Sequence, residues 1–86
     1  MIVRSRDMRP NMPYRVTHGS LDGTVSVGDL IWMSSNGDLN LAIPKYPGWL
    51  TKDEWKHNPY INGFYVEPAD DYEVVIRGSR ESIVKK

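Results

Sequence analysis

Few side chains in this sequence have the type and spacing that catalysis or metal binding requires. The two histidines, His18 and His57, lack the short spacing that marks zinc ligands, and cysteine is absent. None of the serines lies in a G-x-S-x-G context, in which a strained turn exposes a nucleophile. The sequence therefore predicts no metal site, no cofactor and no covalent catalysis.

Paired carboxylates occur twice, and each pair has a structural explanation. Asp53 and Glu54 suit the positive end of a helix dipole. Asp70 and Asp71 lie in a stretch that is typical of a turn between strands. Glycosidase-like chemistry is therefore not favoured, and we expect a protein without catalytic residues that is not an enzyme.

Basic side chains are concentrated at both ends of the chain, although the formal net charge is zero. Arginines near the N-terminus could contact phosphates while Tyr14 stacks on a base, as in proteins that bind single strands. A zero net charge argues against a protein built mainly to neutralise phosphates. Nucleic-acid binding is therefore the alternative function, and its predicted residues are Arg4, Arg6, Arg9, Tyr14, Arg15, Lys85 and Lys86.

Aromatic residues are dense in the stretch YPGWLTKDEWKHNPY, residues 46–60. Trp and Tyr are enriched at binding hot spots because they bury a large area and freeze few torsions. Trp55 is better explained as part of a helix start, since it follows the capping-box pattern of Thr51 and Glu54. The candidate contacts for a protein partner are therefore the other aromatic residues of this proline-containing loop, Tyr46, Trp49 and Tyr60.

The segment LIWM, residues 30–33, consists of four apolar neighbours where a half-exposed strand would alternate. Asn36-Gly37 predicts a hairpin with a two-residue type I′ loop, which would place Trp32 opposite Leu41 on the core face. Ile31 and Met33 would then form a second apolar strip on the opposite face. A partner could cover that strip, so both are candidate protein contacts.

The remaining pattern predicts short strands and one short helix. Strands are expected at residues 14–18, 24–27, 30–33, 64–66 and 72–76, and a helix at 52–57. Residues 5–13 are interrupted by prolines and are predicted to be a flexible arm. Residues 80–86 are predicted to be either a fraying tail or a short final strand.

These elements define the expected fold class. One domain, residues 1–86, is predicted to be mainly β with one short helix, as a small SH3-like or related barrel or a curled antiparallel sheet. An α+β sheet with one packed helix is the alternative. The N-terminus has no apolar signal region and no run is long enough to span a membrane, so a cytoplasmic location without membrane contact is expected.

The absence of catalytic groups and the apolar strip favour a non-enzymatic protein-interaction module. We expect an accessory, regulatory or inhibitory protein, of the kind that phages and mobile elements encode. Its partner is expected to be a protein of unknown identity, and a homodimer is one arrangement that would cover the strip. The predicted protein-binding residues are Ile31, Met33, Tyr46, Trp49 and Tyr60.

Overall fold

The computed structural model describes residues 1–42, 50–78 and 80–86. Seven strands and one helix lie in these ranges, together with a short 3₁₀ turn, Ser5–Asp7. The elements are β1 (Val3–Arg4), β2 (Tyr14–His18), β3 (Leu30–Met33), β4 (Leu39–Leu41), α1 (Lys52–Lys56), β5 (Tyr65–Pro68), β6 (Tyr72–Arg77) and β7 (Arg80–Lys85). The mainly β class with one short helix is thus confirmed.

The strands form two antiparallel sheets. Five strands pair in the order β1-β5-β2-β3-β4, and β6 pairs with β7 as a separate two-stranded hairpin. In the described part of the chain β1 and β4 are the edges of an open sheet, so it does not close into a barrel. The SH3-like arrangement stays a prediction from the sequence.

The hairpin between β3 and β4 differs from the predicted register by one residue. Met33 pairs with Leu39 and Trp32 pairs with Asn40, so Trp32 does not face Leu41. The Ser34 amide donates to the Asp38 carbonyl over 2.8 Å, and Gly37 has a φ of 95°. These features fit a three-residue loop with a left-handed glycine in place of the two-residue loop.

A shift of one residue turns every side chain of the strand to the opposite face. The prediction that Leu30 and Trp32 point into the core was therefore wrong. Ile31 is 0% exposed and Met33 is 8% exposed, and both belong to the core cluster. Leu39 and Leu41, paired across from them, complete this part of the core.

The core lies on one face of the five-stranded sheet and is closed by α1. Trp55 is 1% exposed, packs near Phe64 with ring centroids 5.9 Å apart, and donates from Nε1 to the Gly37 carbonyl over 2.8 Å. The predicted capping box is confirmed: Thr51 Oγ1 accepts from the Glu54 amide, and Glu54 Oε1 accepts from the Thr51 amide. The helix ends at Lys56, one residue before the predicted end.

The loop between β2 and β3 is compact but contains no strand, so the predicted strand at residues 24–27 was wrong. Val25 is 0% exposed, and its carbonyl accepts from the Ser20 amide over 2.8 Å. The Thr24 amide donates to Asp22 Oδ1 over 2.9 Å, and this hydrogen bond holds the pKa of the Asp22 carboxyl below its ordinary value. Hydrogen bonds of this local kind compete with strand pairing.

Residues 5–13, predicted to be a flexible arm, pack against the sheet instead. Met8 is 5% exposed and belongs to the core, and the Asn11 amide donates to the Met33 carbonyl over 2.7 Å. At the other end, residues 80–85 form strand β7, which was the second of the two predicted states for the tail.

The β6–β7 hairpin covers the outer face of the large sheet at β3. Trp32 points to this face and is 5% exposed, and its Nε1 donates to Glu81 Oε1 of β7 over 3.1 Å. Val74 and Ile83 are paired across the hairpin, lie on the same face of it as Glu81, and are half-buried. Both apolar faces of β3 are thus covered by the chain itself: the Ile31 and Met33 face by the core, and the Trp32 face by the hairpin.

Candidate functional site

A cleft lies between the tip of the β6–β7 hairpin and the loop that joins β3 to β4. Its volume is about 620 Å³, which is in the range of small-molecule and side-chain binding pockets. The residues that line it are all polar or charged and come from two separate parts of the chain: Ser34, Asn36, Asp38, Asn40, Arg77, Arg80, Glu81 and Ser82.

The floor of the cleft is a hydrogen-bond network centred on Glu81. Its Oε1 accepts from Trp32 Nε1 over 3.1 Å and from Ser34 Oγ over 3.2 Å. Asn40 Nδ2 donates to Ser34 Oγ over 2.8 Å. Since the Ser34 hydroxyl is bonded on both sides and the residue is 8% exposed, this serine fixes the hairpin on the sheet and is not presented as a nucleophile.

The wall of the cleft is formed by the β3–β4 loop. The Asp38 amide donates to Asn36 Oδ1 over 3.2 Å, and Asn36 Nδ2 donates to Asp38 Oδ2 over 3.2 Å. Asp38 Oδ1 accepts from the backbone amide of Lys52 over 3.1 Å, which ties the loop to the start of α1. The polar groups of this wall are therefore held in place before any ligand binds.

The rim of the cleft carries two arginines, Arg77 and Arg80, which are directly opposite in the register of the hairpin. Both are exposed, and neither forms an ion pair or a side-chain hydrogen bond with any part of the chain that the structure describes. All eleven aspartates and glutamates of the sequence lie in that part. Like charges opposite each other destabilise a strand pair, so this pair has a cost to the fold that an anionic ligand would remove.

Neither arginine was among the predicted binding residues, because only Lys85 and Lys86 of the basic C-terminal end were grouped with the N-terminal arginines. The signal was present in the pattern RGSR, in which a glycine, a residue favoured in turns, lies between two arginines. Placing both on one rim depends on the pairing of β6 with β7, since the register sets which side chains share a face.

The structure separates the predicted protein-binding residues. Ile31 and Met33 are in the core, so neither presents a contact surface, which corrects the assignment that followed from the wrong register. Tyr60 is 63% exposed and lies on the surface as expected. Tyr46 and Trp49 lie outside the residues that the structure describes.

The predicted nucleic-acid-binding residues are also divided. Tyr14 is 2% exposed, and its hydroxyl accepts from the Arg9 amide over 2.9 Å, so its ring cannot stack on a base and that assignment was wrong. Arg4 pairs with Asp7 at 3.2 Å, whereas Arg6 lines a different cavity beside α1. Arg9 remains exposed.

The two chain ends do approach each other at Asp71. Arg15 lies 3.8 Å from Asp71 Oδ2 and 5.8 Å from the centroid of the Tyr72 ring. Lys85 pairs with Tyr72, and the amide of Lys86 donates to the Asp71 carbonyl over 2.9 Å. The basic residues that meet here are therefore accompanied by a carboxylate and do not form a purely basic patch.

No group of three or more histidine, aspartate or glutamate side chains that could hold a metal occurs within the described ranges. His18 instead packs edge-on against Tyr65, with ring centroids 5.4 Å apart. No helix in the described ranges is both long enough and apolar enough to cross a membrane.

Comparison with known proteins gives limited similarity. No family model matches the chain, and no solved structure matches it. A protein of Arabidopsis thaliana that is named as B3 domain-containing is 32% identical over 53 residues. The match covers 62% of this chain and 43% of that protein, so the chain spans less than half the length of this relative and is not assigned to a family by it.

Proposed function

We propose that this chain is a non-enzymatic protein-interaction module, an accessory or regulatory protein that binds an acidic side chain of its partner in the cleft between the β6–β7 hairpin and the β3–β4 loop. The observation that carries the proposal is the pair Arg77 and Arg80, opposite each other on the rim and without a carboxylate partner in the described ranges. A guanidinium presents a planar fork of donors that matches a carboxylate, and two of them can grip one from both sides.

The composition of the cleft favours a polypeptide over a nucleic acid. Asp38 and Glu81 line the same cleft as the two arginines, so a nucleic-acid backbone, which carries a charge at every phosphate, would meet more repulsion there than a single carboxylate held between the arginines. Ser34, Asn36 and Asn40 offer amide and hydroxyl groups of the kind that hydrogen-bond a peptide backbone.

Nucleic-acid binding is the alternative, carried by the same exposed arginines at the end of a two-stranded ribbon. Such a ribbon fits the major groove of B-form DNA. The similarity to the Arabidopsis protein does not choose between the two proposals, since its name specifies a domain and no ligand. A cytoplasmic location and a homodimer likewise remain predictions from the sequence.

Fluorescence anisotropy with two probes separates these functions. The first probe is a labelled octapeptide with a central Asp-Glu pair between apolar residues, and the second is a short labelled DNA duplex, which has the major groove that the ribbon would enter. We expect the full chain to bind the peptide, and the double variant R77E/R80E to lose at least about tenfold in affinity. The matched control is K85E/K86E, which changes the net charge equally on the same hairpin and should bind the peptide as the wild type does.

The salt dependence supplies the second criterion. Oligonucleotide binding that exceeds peptide binding at about 50 mM salt and disappears at about 300 mM would support the alternative and overturn the proposal. Equal losses in R77E/R80E and K85E/K86E would indicate a general charge effect and would also overturn it. Sedimentation of the unliganded chain measures any homodimer in the same samples.

A further inference from the structure

A second cavity, of about 370 Å³, lies at the C-terminal end of α1, and neither proposed function uses it. It is lined by two segments that are distant in sequence, the 3₁₀ turn after β1 and the end of α1 with the loop that follows: Ser5, Arg6, Trp55, Lys56, His57 and Asn62. This volume is near the lower end of the range for small-molecule pockets.

The charges that line this cavity are all basic or neutral. Arg6, Lys56 and His57 supply two permanent cations and one imidazole, and no aspartate or glutamate contributes to the lining. Neither Arg6 nor Lys56 forms an ion pair with the described residues, which include every carboxylate side chain of the sequence. The carboxylate closest along the chain, Asp7, is bonded to Arg4 at 3.2 Å.

The acidic residues of α1 do not neutralise the cavity either. Asp53 and Glu54 are in the first turn of the helix, and the Glu54 carboxylate accepts from the Thr51 amide over 3.2 Å. Neither residue lines the cavity. An anion that enters therefore meets no repelling side chain at contact distance in the described part.

The two segments that carry the cations are fixed to each other through Asn62. The Ser5 hydroxyl donates to the Asn62 carbonyl, and Asn62 Nδ2 donates to the Lys56 carbonyl over 2.7 Å. Ser5 is 3% exposed, and its amide donates to the Phe64 carbonyl over 3.0 Å, which ties the 3₁₀ turn to the sheet. The backbone that presents Arg6 and Lys56 is thus ordered without a ligand, which lowers the entropy cost of binding.

The Lys56 side chain is also oriented by the core. Its Nζ lies 5.6 Å from the centroid of the Trp55 ring, at a distance where a cation is attracted to the ring face. Trp55 is itself held by its hydrogen bond to the Gly37 carbonyl. The ammonium group therefore has a defined position beside the cavity.

We infer that this cavity binds the phosphate group of a small phosphomonoester. The Arg6 guanidinium can donate two parallel hydrogen bonds to phosphate oxygens, and Lys56 adds a point charge. His57 and Asn62 supply further polar groups, and the volume leaves room for a small organic part beside the phosphate. This inference is independent of the cleft and of the proposed function.

The test is a titration of the ¹⁵N-labelled full chain with glycerol phosphate, with inorganic phosphate and with glycerol alone. We expect amide shifts at Arg6, Lys56, His57 and Asn62 with both phosphate-containing probes, stronger with the ester, and none with glycerol. R6Q and K56Q should each weaken binding by about tenfold, since each removes a charged contact to the phosphate. R9Q is the matched control, because Arg9 is exposed on the same segment and does not line the cavity.

Several outcomes would overturn the inference. The first is the absence of amide shifts at millimolar glycerol phosphate. The second is a set of shifts centred on Arg77 and Arg80. The third is an equal loss of affinity in R9Q and R6Q. Tighter binding of inorganic phosphate than of the ester would limit the site to a free anion. Preferential binding of a single-stranded oligonucleotide through Arg6 and Lys56 would replace the small molecule with a polymer. The amide spectra of R6Q and K56Q also show whether each variant is folded.

Discussion

Trp32 Nε1 and Glu81 Oε1 lie 3.1 Å apart, and this hydrogen bond ties the β6–β7 hairpin to the five-stranded sheet, with which it shares no strand pairing in the described ranges. The same oxygen accepts from Ser34 Oγ. We expect E81A to destabilise the fold by about 2 kcal/mol, because it leaves a buried indole N–H without its charged acceptor. E81Q keeps an acceptor oxygen and should lose less than half of that.

Urea unfolding measures the loss of stability, and the indole N–H resonance of Trp32 reports the contact itself. That resonance should move in both Glu81 variants while the indole resonance of Trp55 stays in place, since Trp55 bonds to the Gly37 carbonyl. An unchanged Trp32 resonance in E81A would show that the hairpin is held by other contacts. The variants W32F and W55F assign the two resonances among the three tryptophans of the sequence.

Gly19 is predicted to be intolerant of any side chain. A Cβ placed on it would lie 2.7 Å from the Val25 carbonyl oxygen, which is backbone and cannot rotate away. G19A should therefore destabilise the protein by about 1–3 kcal/mol, the usual range for overpacking. G63A is the matched control, because nothing lies within 4 Å of its Cβ; equal effects in thermal unfolding would contradict the steric argument.

Asp22 makes part of the stability pH-dependent. The Thr24 amide holds the pKa of the Asp22 carboxyl below its ordinary value, so the folded state favours the carboxylate. This contribution is complete above the unfolded-state pKa, about 3.9, and is lost as the pH falls through the lower folded-state pKa. The residue is exposed, so the effect is small.

D22N keeps a hydrogen-bond acceptor and removes the charge. We expect wild type to be more stable than D22N at pH 6, and the difference to shrink as the pH is lowered below 3.9. The measurement is the free energy of unfolding from urea titrations at several pH values. A difference that stays constant with pH would mean that the Asp22 charge does not contribute.

How well the sequence predicted each element depends on how far apart along the chain the interacting residues lie. The capping box at Thr51 and the strand at residues 14–18 depend on neighbours within a few positions, and both were predicted correctly. The β3–β4 register depends on one choice, whether Asn36-Gly37 forms the whole loop or Ser35 is included. Residue pattern alone does not settle it, because either register buries one apolar set of this two-sided strand.

The candidate cleft could not be predicted from the sequence for a different reason. Its two sides come from the β3–β4 loop and the β6–β7 hairpin. They meet where Glu81 accepts hydrogen bonds from Trp32 and Ser34. Such a pairing of distant segments has no local periodicity to reveal it. The opposite charges of the two sides, Arg77 against Asp38, were likewise visible only after folding.

The capping box should account for a defined share of the stability of α1. Thr51 Oγ1 accepts from the Glu54 amide, and T51A removes that acceptor at a cost of about 1 kcal/mol. T51S is the matched control, since it keeps the hydroxyl oxygen that accepts from the Glu54 amide. Chemical denaturation of both variants checks this, and an equal loss in each would show that the capping bond adds nothing.

Arg77 and Arg80 should lower the stability of the fold and at the same time support binding of an acidic peptide. Arg77 and Arg80 are direct partners in the hairpin, so R80E replaces a like-charge pair with an opposite pair and should stabilise the chain by about 0.5 kcal/mol.

R80E should also weaken binding of the acidic octapeptide by about tenfold, because it removes one guanidinium donor and adds a repelling charge. K85E changes the net charge equally, but its partner Tyr72 cannot form an ion pair with it, so it should change neither quantity. Thermal unfolding at low salt measures the stability of R80E. If R80E is less stable than the wild type, the two guanidinium groups do not repel each other, and the like-charge pair is then no evidence for an anionic ligand at the rim.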